Sequence, residues 1–172
     1  VSSKPYYQVC ADLIREVCEV FGSPRLFHLG FDEEKPEYQW NCENVVVRQG
    51  DLWWHDLFFL AKECEKYGAR PWIWSDYVWN NEKEFLEKMP KSILQSNWYY
   101  GGFHDFPAEH PHYNMIRGYE LLDAHGYDQI LTGSTWSIDD NLWQTVAHGK
   151  NVLNPSSVSG YLAAPWQFTL QK

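Results

Sequence analysis

Apolar residues recur along the chain in two rhythms that alternate from the first residues to the last. Val9, Leu13, Val17 and Val20, with Asp12, Arg15, Glu16 and Glu19 between them, predict an amphipathic helix over residues 4–21. Gly22-Ser23-Pro24 stops it. A short apolar run over 25–29 then reads as a buried strand that ends abruptly at Gly30-Phe31 and three adjacent carboxylates, Asp32, Glu33 and Glu34. A polar, turn-rich stretch over 35–49 carries Pro36, Asn41 and Asn44. A second helix is predicted over 51–67, with Asp51 as its N-cap and Gly68 just past its end. The next strand, 70–74, also leads to an acid, Asp76. A short helix over 82–88 precedes a strand over 92–98, whose end carries Trp98, Tyr99 and Tyr100 and a loop with Gly101, Gly102, His104 and Asp105. A helix over 111–125 is closed by Gly126. The strand over 129–133 leads to Trp136, Asp139 and Asp140, and a helix over 141–148 and a strand over 160–166 follow.

Helix and strand alternating five times predict an α/β fold of parallel strands joined by right-handed crossovers. Nearly every strand delivers a Trp and an acid at its carboxyl end, the arrangement of a (β/α)8 TIM barrel. With only five strands, residues 1–172 are expected to form the C-terminal portion of such a barrel, about five βα units, as one partial domain. Such a domain leaves two sheet edges unpaired. Either a longer parent supplies the N-terminal strands, in keeping with the missing initiator Met, or a second copy of the chain covers the edges.

Charge narrows the partners. The chain carries 14 Lys+Arg against 23 Asp+Glu, a net charge of −9, which argues against nucleic acid, whose binding depends on neutralising phosphates. No apolar run approaches the roughly 20 residues that cross a bilayer, so no membrane partner is expected. Ten Trp in a chain that is 17 % aromatic exceed what core packing usually uses, and Trp faces stack well on the C–H faces of sugars. For any single Trp, a place in the core is an equal alternative. Cys10, Cys18 and Cys64 fall in helical segments, where buried free thiols are the commoner outcome, and Cys42 lies in the polar stretch. His104, His110 and His112 form a group with a His-x-His, but in a loop beside Pro107 and Pro111 such spacing is mostly incidental, and no metal or other cofactor is expected.

Asp32 and Glu33 are neighbours, whereas the usual glycosidase pair sits on separate strands. Adjacent acids suit a mechanism in which the substrate supplies its own nucleophile. One carboxyl then protonates the leaving oxygen and the other steadies the substrate group. Taken on residues alone, an equally weighted alternative is a helix N-terminus with loop charge, and Asp76 and Asp139 are equally open to a capping role.

His28-Leu29-Gly30-Phe31-Asp32-Glu33 resembles the His-x-Gly-Gly-Asp-Glu motif of glycoside hydrolase family 20, the β-N-acetylhexosaminidases, and the order of elements along the chain is similar too. The resemblance implies that Glu33 is the general acid and base, with a pKa raised by aromatic surroundings. Asp32 would orient the substrate's 2-acetamido group, whose carbonyl oxygen attacks the anomeric carbon, and His28 would brace the pair from behind. Trp74, Trp98 and Trp166 are similar to the tryptophans that wall the family's N-acetylglucosamine pocket, with Asp76, Trp136 and Asp139 as further substrate contacts. A secreted or periplasmic location follows from the resemblance only.

The chain departs from the family at defined points. Phe31 stands where the motif has its second glycine. Trp136-Ser137-Ile138-Asp139 stands where the family has Tyr-x-Asp, so the tyrosine hydroxyl is absent, and Trp166-Gln167-Phe168 replaces Trp-x-Glu. The expectation is therefore a substrate-assisted, retaining, exo-acting β-N-acetylhexosaminidase type of domain acting on amino-sugar glycosides and inactive as this piece alone. The alternative is a barrel of the same fold that binds carbohydrate without cleaving it.

Overall fold

The computed structural model describes residues 1–39 and 47–166, which fall into two compact units, Val1–Ile73 and Trp74–Lys172. Gln167 and Phe168, and with them the departure at the chain's last aromatic, lie outside the described residues, as does Cys42.

In the first unit, helix α1 (Lys4–Val20) is capped by Ser3, whose hydroxyl accepts from the Tyr6 N–H at 3.4 Å. Its apolar half is wider than the surface that covers it. Ile14 and Cys18 are buried, in a helix that packs on α3, while Val9, Leu13, Val17 and Val20 form an adjacent exposed stripe. Strand β1 (Leu26–His28) and the four-residue helical turn α2 (Pro36–Gln39) precede α3 (Asp51–Lys66). Trp53, Leu57, Leu60, Ala61 and Cys64 recur on the buried face of α3 at helical spacing, and Trp53 is fully enclosed. Burial pushes the thiol of Cys64 up to about 12 and also raises that of Cys18, so both are inert free thiols, while Cys10 is half-buried. The expected cap at Asp51 is corrected: Gly50, at φ +53°, is the N-cap and Asp51 is the first helical residue, where its carboxylate faces the positive end of the helix. Strand β2 (Arg70–Trp74) runs parallel to β1, pairing Leu26 with Arg70 and His28 with Trp72.

The second unit begins at the last residue of β2. The Ser75 N–H donates to the Ser96 carbonyl at 3.1 Å, and the 3-10 turn Asp76–Trp79, α4 (Glu82–Lys88) and β3 (Leu94–Ser96) follow. Then come α5 (Tyr113–Ala124), β4 (Gln129–Gly133), α6 (Asn141–Val152) and β5 (Val158–Ala163). β3 pairs with β4 and β4 with β5, both parallel. Tyr99, Tyr119, Leu131 and Leu153 form its core, with Phe103, Met115 and Val158 packed against them.

Several boundaries differ from the sequence expectation, and the largest difference is in α6, which runs to Val152 and not to residue 148. β3 is shorter, with only an isolated bridge from Trp98 to Thr132 beyond it. α5 starts at Tyr113 rather than at residue 111, with His112 as its N-cap and the His112 N–H donating to His110 Nδ1 at 3.1 Å. β5 begins earlier and ends before Pro165, which has no N–H for a ladder.

Candidate active site

In the first unit the site begins where β1 stops. The Leu29 N–H closes the ladder on the Trp72 carbonyl at 2.8 Å, and the chain then turns through Gly30 at φ +81° and Phe31 at φ +75°. Two successive left-handed residues explain why a motif of this kind asks for glycine at both places. Phe31 accepts that conformation because its ring is buried elsewhere: it stands edge-on to Trp53 at 5.2 Å, with the Arg48 guanidinium 4.2 Å from its centroid. The ring is thus part of the core packing. His28 braces the same turn, its Nδ1 accepting the Gly30 N–H at 3.0 Å while its ring stands edge-on to Trp72 at 4.5 Å. Burial lowers its pKa to about 4, so it is the neutral imidazole with the proton on Nε2.

Asp32 and Glu33 therefore share one short turn with His28, and both are exposed. Glu33 is itself left-handed, at φ +54°. Glu34 turns the other way, into a half-buried ion pair with Arg48, whose Nε lies 3.0 Å from each carboxylate oxygen and whose Nη2 also donates to it. Burial raises the pKa of Glu34 against the opposing pull of Arg48.

In the second unit the aromatics gather at the carboxyl ends of the strands. Trp74 ends β2, and its ring lies 6.5 Å from that of Trp166, which follows β5 and is half exposed. Trp98 follows β3, stacked on Tyr100 at 5.1 Å and 25° and edge-on to Trp79 at 4.7 Å. Trp79 is fixed in turn by its Nε1–H to Asn97 Oδ1 at 2.7 Å. Asp76 opens the 3-10 turn and is buried. Trp136 and Asp139, in the loop after β4, are both exposed.

Sequence reasoning missed the residue that ties two of these loops together. Asn141, fully buried at the start of α6, donates to the carbonyls of Tyr99 at 2.8 Å and Gly101 at 2.7 Å and accepts the Ser134 N–H at 2.9 Å. Its only sequence signal was an Asn at a helix start. Arg48, in the polar stretch, had none. In the histidine group, His112 Nδ1 lies 3.0 Å from the Tyr99 hydroxyl and His110 stacks on Phe106 at 4.0 Å, and no group of three metal ligands occurs among the described residues.

No protein-family model matches this sequence, and no curated protein matches it either. Solved structures do match in fold. The alternation of parallel strands and helices is the C-terminal portion of a (β/α)8 barrel, five strands of it. Two similar structures are those of the family 20 exo-β-N-acetylglucosaminidase from Vibrio harveyi. The complex with N-acetylglucosamine has a TM-score of 0.59 at 14 % identity, and an inactive mutant 0.55 at 13 %. Each alignment covers 96 % of this chain and 28 % of the other. The likeness is a distant one of fold, and this chain spans just over a quarter of that enzyme's length.

Proposed function

We propose that the chain is part of a family 20-type β-N-acetylhexosaminidase domain and that its substrates are amino-sugar glycosides. The observation that carries this reading is the Asp32–Glu33 pair on a left-handed turn at the carboxyl end of β1, in a chain whose fold is matched by enzymes of that family. Glu33 protonates the glycosidic oxygen and then activates water. Asp32 orients the 2-acetamido group so that its carbonyl oxygen attacks the anomeric carbon, and stabilises the cationic ring that forms. His28, neutral and fixed on Gly30, holds the turn. Trp74, Trp98, Trp136 and Trp166 offer ring faces for the sugar, with Asp76 and Asp139 as acceptors for its hydroxyls. This piece alone is expected to be inactive. The test is hydrolysis of a nitrophenyl β-N-acetylglucosaminide by the full-length parent: turnover that disappears in Glu33→Gln supports the reading, and no turnover on any β-hexosaminide overturns it.

A second reading is a barrel that binds carbohydrate without cleaving it. Trp136 in place of the family's tyrosine favours it, since no tyrosine hydroxyl stands there to hold the acetamido oxygen. Calorimetry on the full-length parent distinguishes it, as heat on adding amino sugar without turnover is expected only here.

A further inference from the structure

We propose that Arg48 is a positioning residue for the Asp32–Glu33 pair, acting through Phe31 on one side and Glu34 on the other. The inference rests on the reading of that pair as the working carboxylates. Two of the four residues from Phe31 to Glu34 hold left-handed backbone, Phe31 at φ +75° and Glu33 at φ +54°, a conformation that costs a non-glycine residue about 1–2 kcal/mol and persists only where the surroundings impose it. Arg48 supplies that imposition at both flanks. Its guanidinium carbon stands over the Phe31 ring, 4.2 Å from the centroid, which fixes the residue before the pair. Its Nε reaches both Glu34 oxygens at 3.0 Å, which fixes the residue after it.

Arg48 is itself held. Its side chain is only 12 % exposed, its Nη1 is 3.4 Å from the Tyr6 hydroxyl on α1 and 3.9 Å from Asp56 Oδ2 on α3, and Asp56 is fully enclosed. The Asp56 carboxylate accepts from the Tyr7 hydroxyl at 2.5 Å and the Ser2 hydroxyl at 2.7 Å. Both helices of the unit thus converge on one guanidinium, and the guanidinium on the two residues that bracket the exposed acids. A planar fork can serve the ring and the carboxylate together. An ammonium group at the same place is a point charge and cannot serve both.

The experiment is solution NMR on the 172-residue chain, wild type and Arg48→Lys, with thermal unfolding as the check on folding. Left-handed residues give strong contacts between their own amide and α protons, so Phe31 and Glu33 report their conformation directly. Binding is read from the amide shifts of residues 32 and 33 on adding methyl β-N-acetylglucosaminide. In Arg48→Lys the left-handed signature is expected to fade at both residues while the protein stays folded, and about tenfold more sugar is needed for the same shifts. Unchanged signatures at both residues overturn the proposal.

A wild-type chain that ignores the sugar counts against the amino-sugar reading, and Arg48 is then judged on the two signatures alone. If Arg48→Lys does not fold, Glu34→Gln takes its place, because it weakens the ion pair and leaves the guanidinium over the ring. There Glu33 is expected to lose its signature and Phe31 to keep it, and a Glu33 that is unmoved overturns the proposal.

Discussion

Phe31 shows two opposed terms meeting in one residue. Phe31→Gly removes the left-handed cost of about 1–2 kcal/mol but also deletes a buried ring, a change that costs about 3–5 kcal/mol in a packed core. The cavity term is the larger, so the variant is expected to be less stable by about 2 kcal/mol in a urea titration, although it restores the residue that the motif has at this place. His28 yields a prediction about pH. Its folded pKa of about 4 lies below the ordinary 6.5, so between those values the unfolded chain binds the extra proton. Its contribution is fully present above about pH 6.5 and is lost as the pH falls towards 4, by at most about 1.4 kcal/mol per pH unit. Urea midpoints for wild type and His28→Gln across that range should show the wild type falling more steeply with acid. Little of this was legible in the sequence: the motif exposed the position of Phe31 as odd, but only the packing against Trp53 and Arg48 explains how a bulky residue lives there.

At the scale of elements, Asn141 is the sharpest test. Asn141→Ala leaves the carbonyls of Tyr99 and Gly101 and the N–H of Ser134 without their partner at a fully buried place, and a loss of about 3 kcal/mol is expected, together with loosening of the loops after β3 and β4. Hydrogen exchange at Gly101 and Ser134 would report the loosening. The exposed stripe of α1 makes the contrary prediction. Leu13→Lys with Val20→Glu should leave the stability read from thermal unfolding within about 0.5 kcal/mol of wild type while reducing binding of a hydrophobic dye, because both side chains are exposed. Among the described residues, every helix longer than one turn and every strand was legible from periodicity, although in α1 the spacing of Val9, Leu13, Val17 and Val20 marked the helix and not its buried face, which is that of Ile14 and Cys18. Element ends were less so: Gly50 displaces Asp51 as a cap, and α6 runs on to Val152. Asn141 and Arg48 were invisible because each works through groups that lie between 7 and 42 residues away.

At the scale of the whole molecule, the net charge of −9 and a pI near 5.2 predict a solubility minimum just above pH 5, checked by turbidity against pH. That minimum falls inside the window in which His28 is withdrawing its support, so mild acid should bring unfolding and precipitation together. The order of elements and the acidic turn were enough to read the fold class from sequence, because a parallel α/β alternation is written in local patterns. The two compact units were not, and their dividing line has a practical side. It runs through a strand instead of a linker: residues 70–72 complete the ladder of β1, whereas Trp74 and Ser75 belong to the unit of β3. Recombination with a crossover after residue 73 would hand each product a broken strand. Pieces meant to be exchanged, or expressed as complementing halves, need to overlap through residues 70–75, so that both inherit the whole seam.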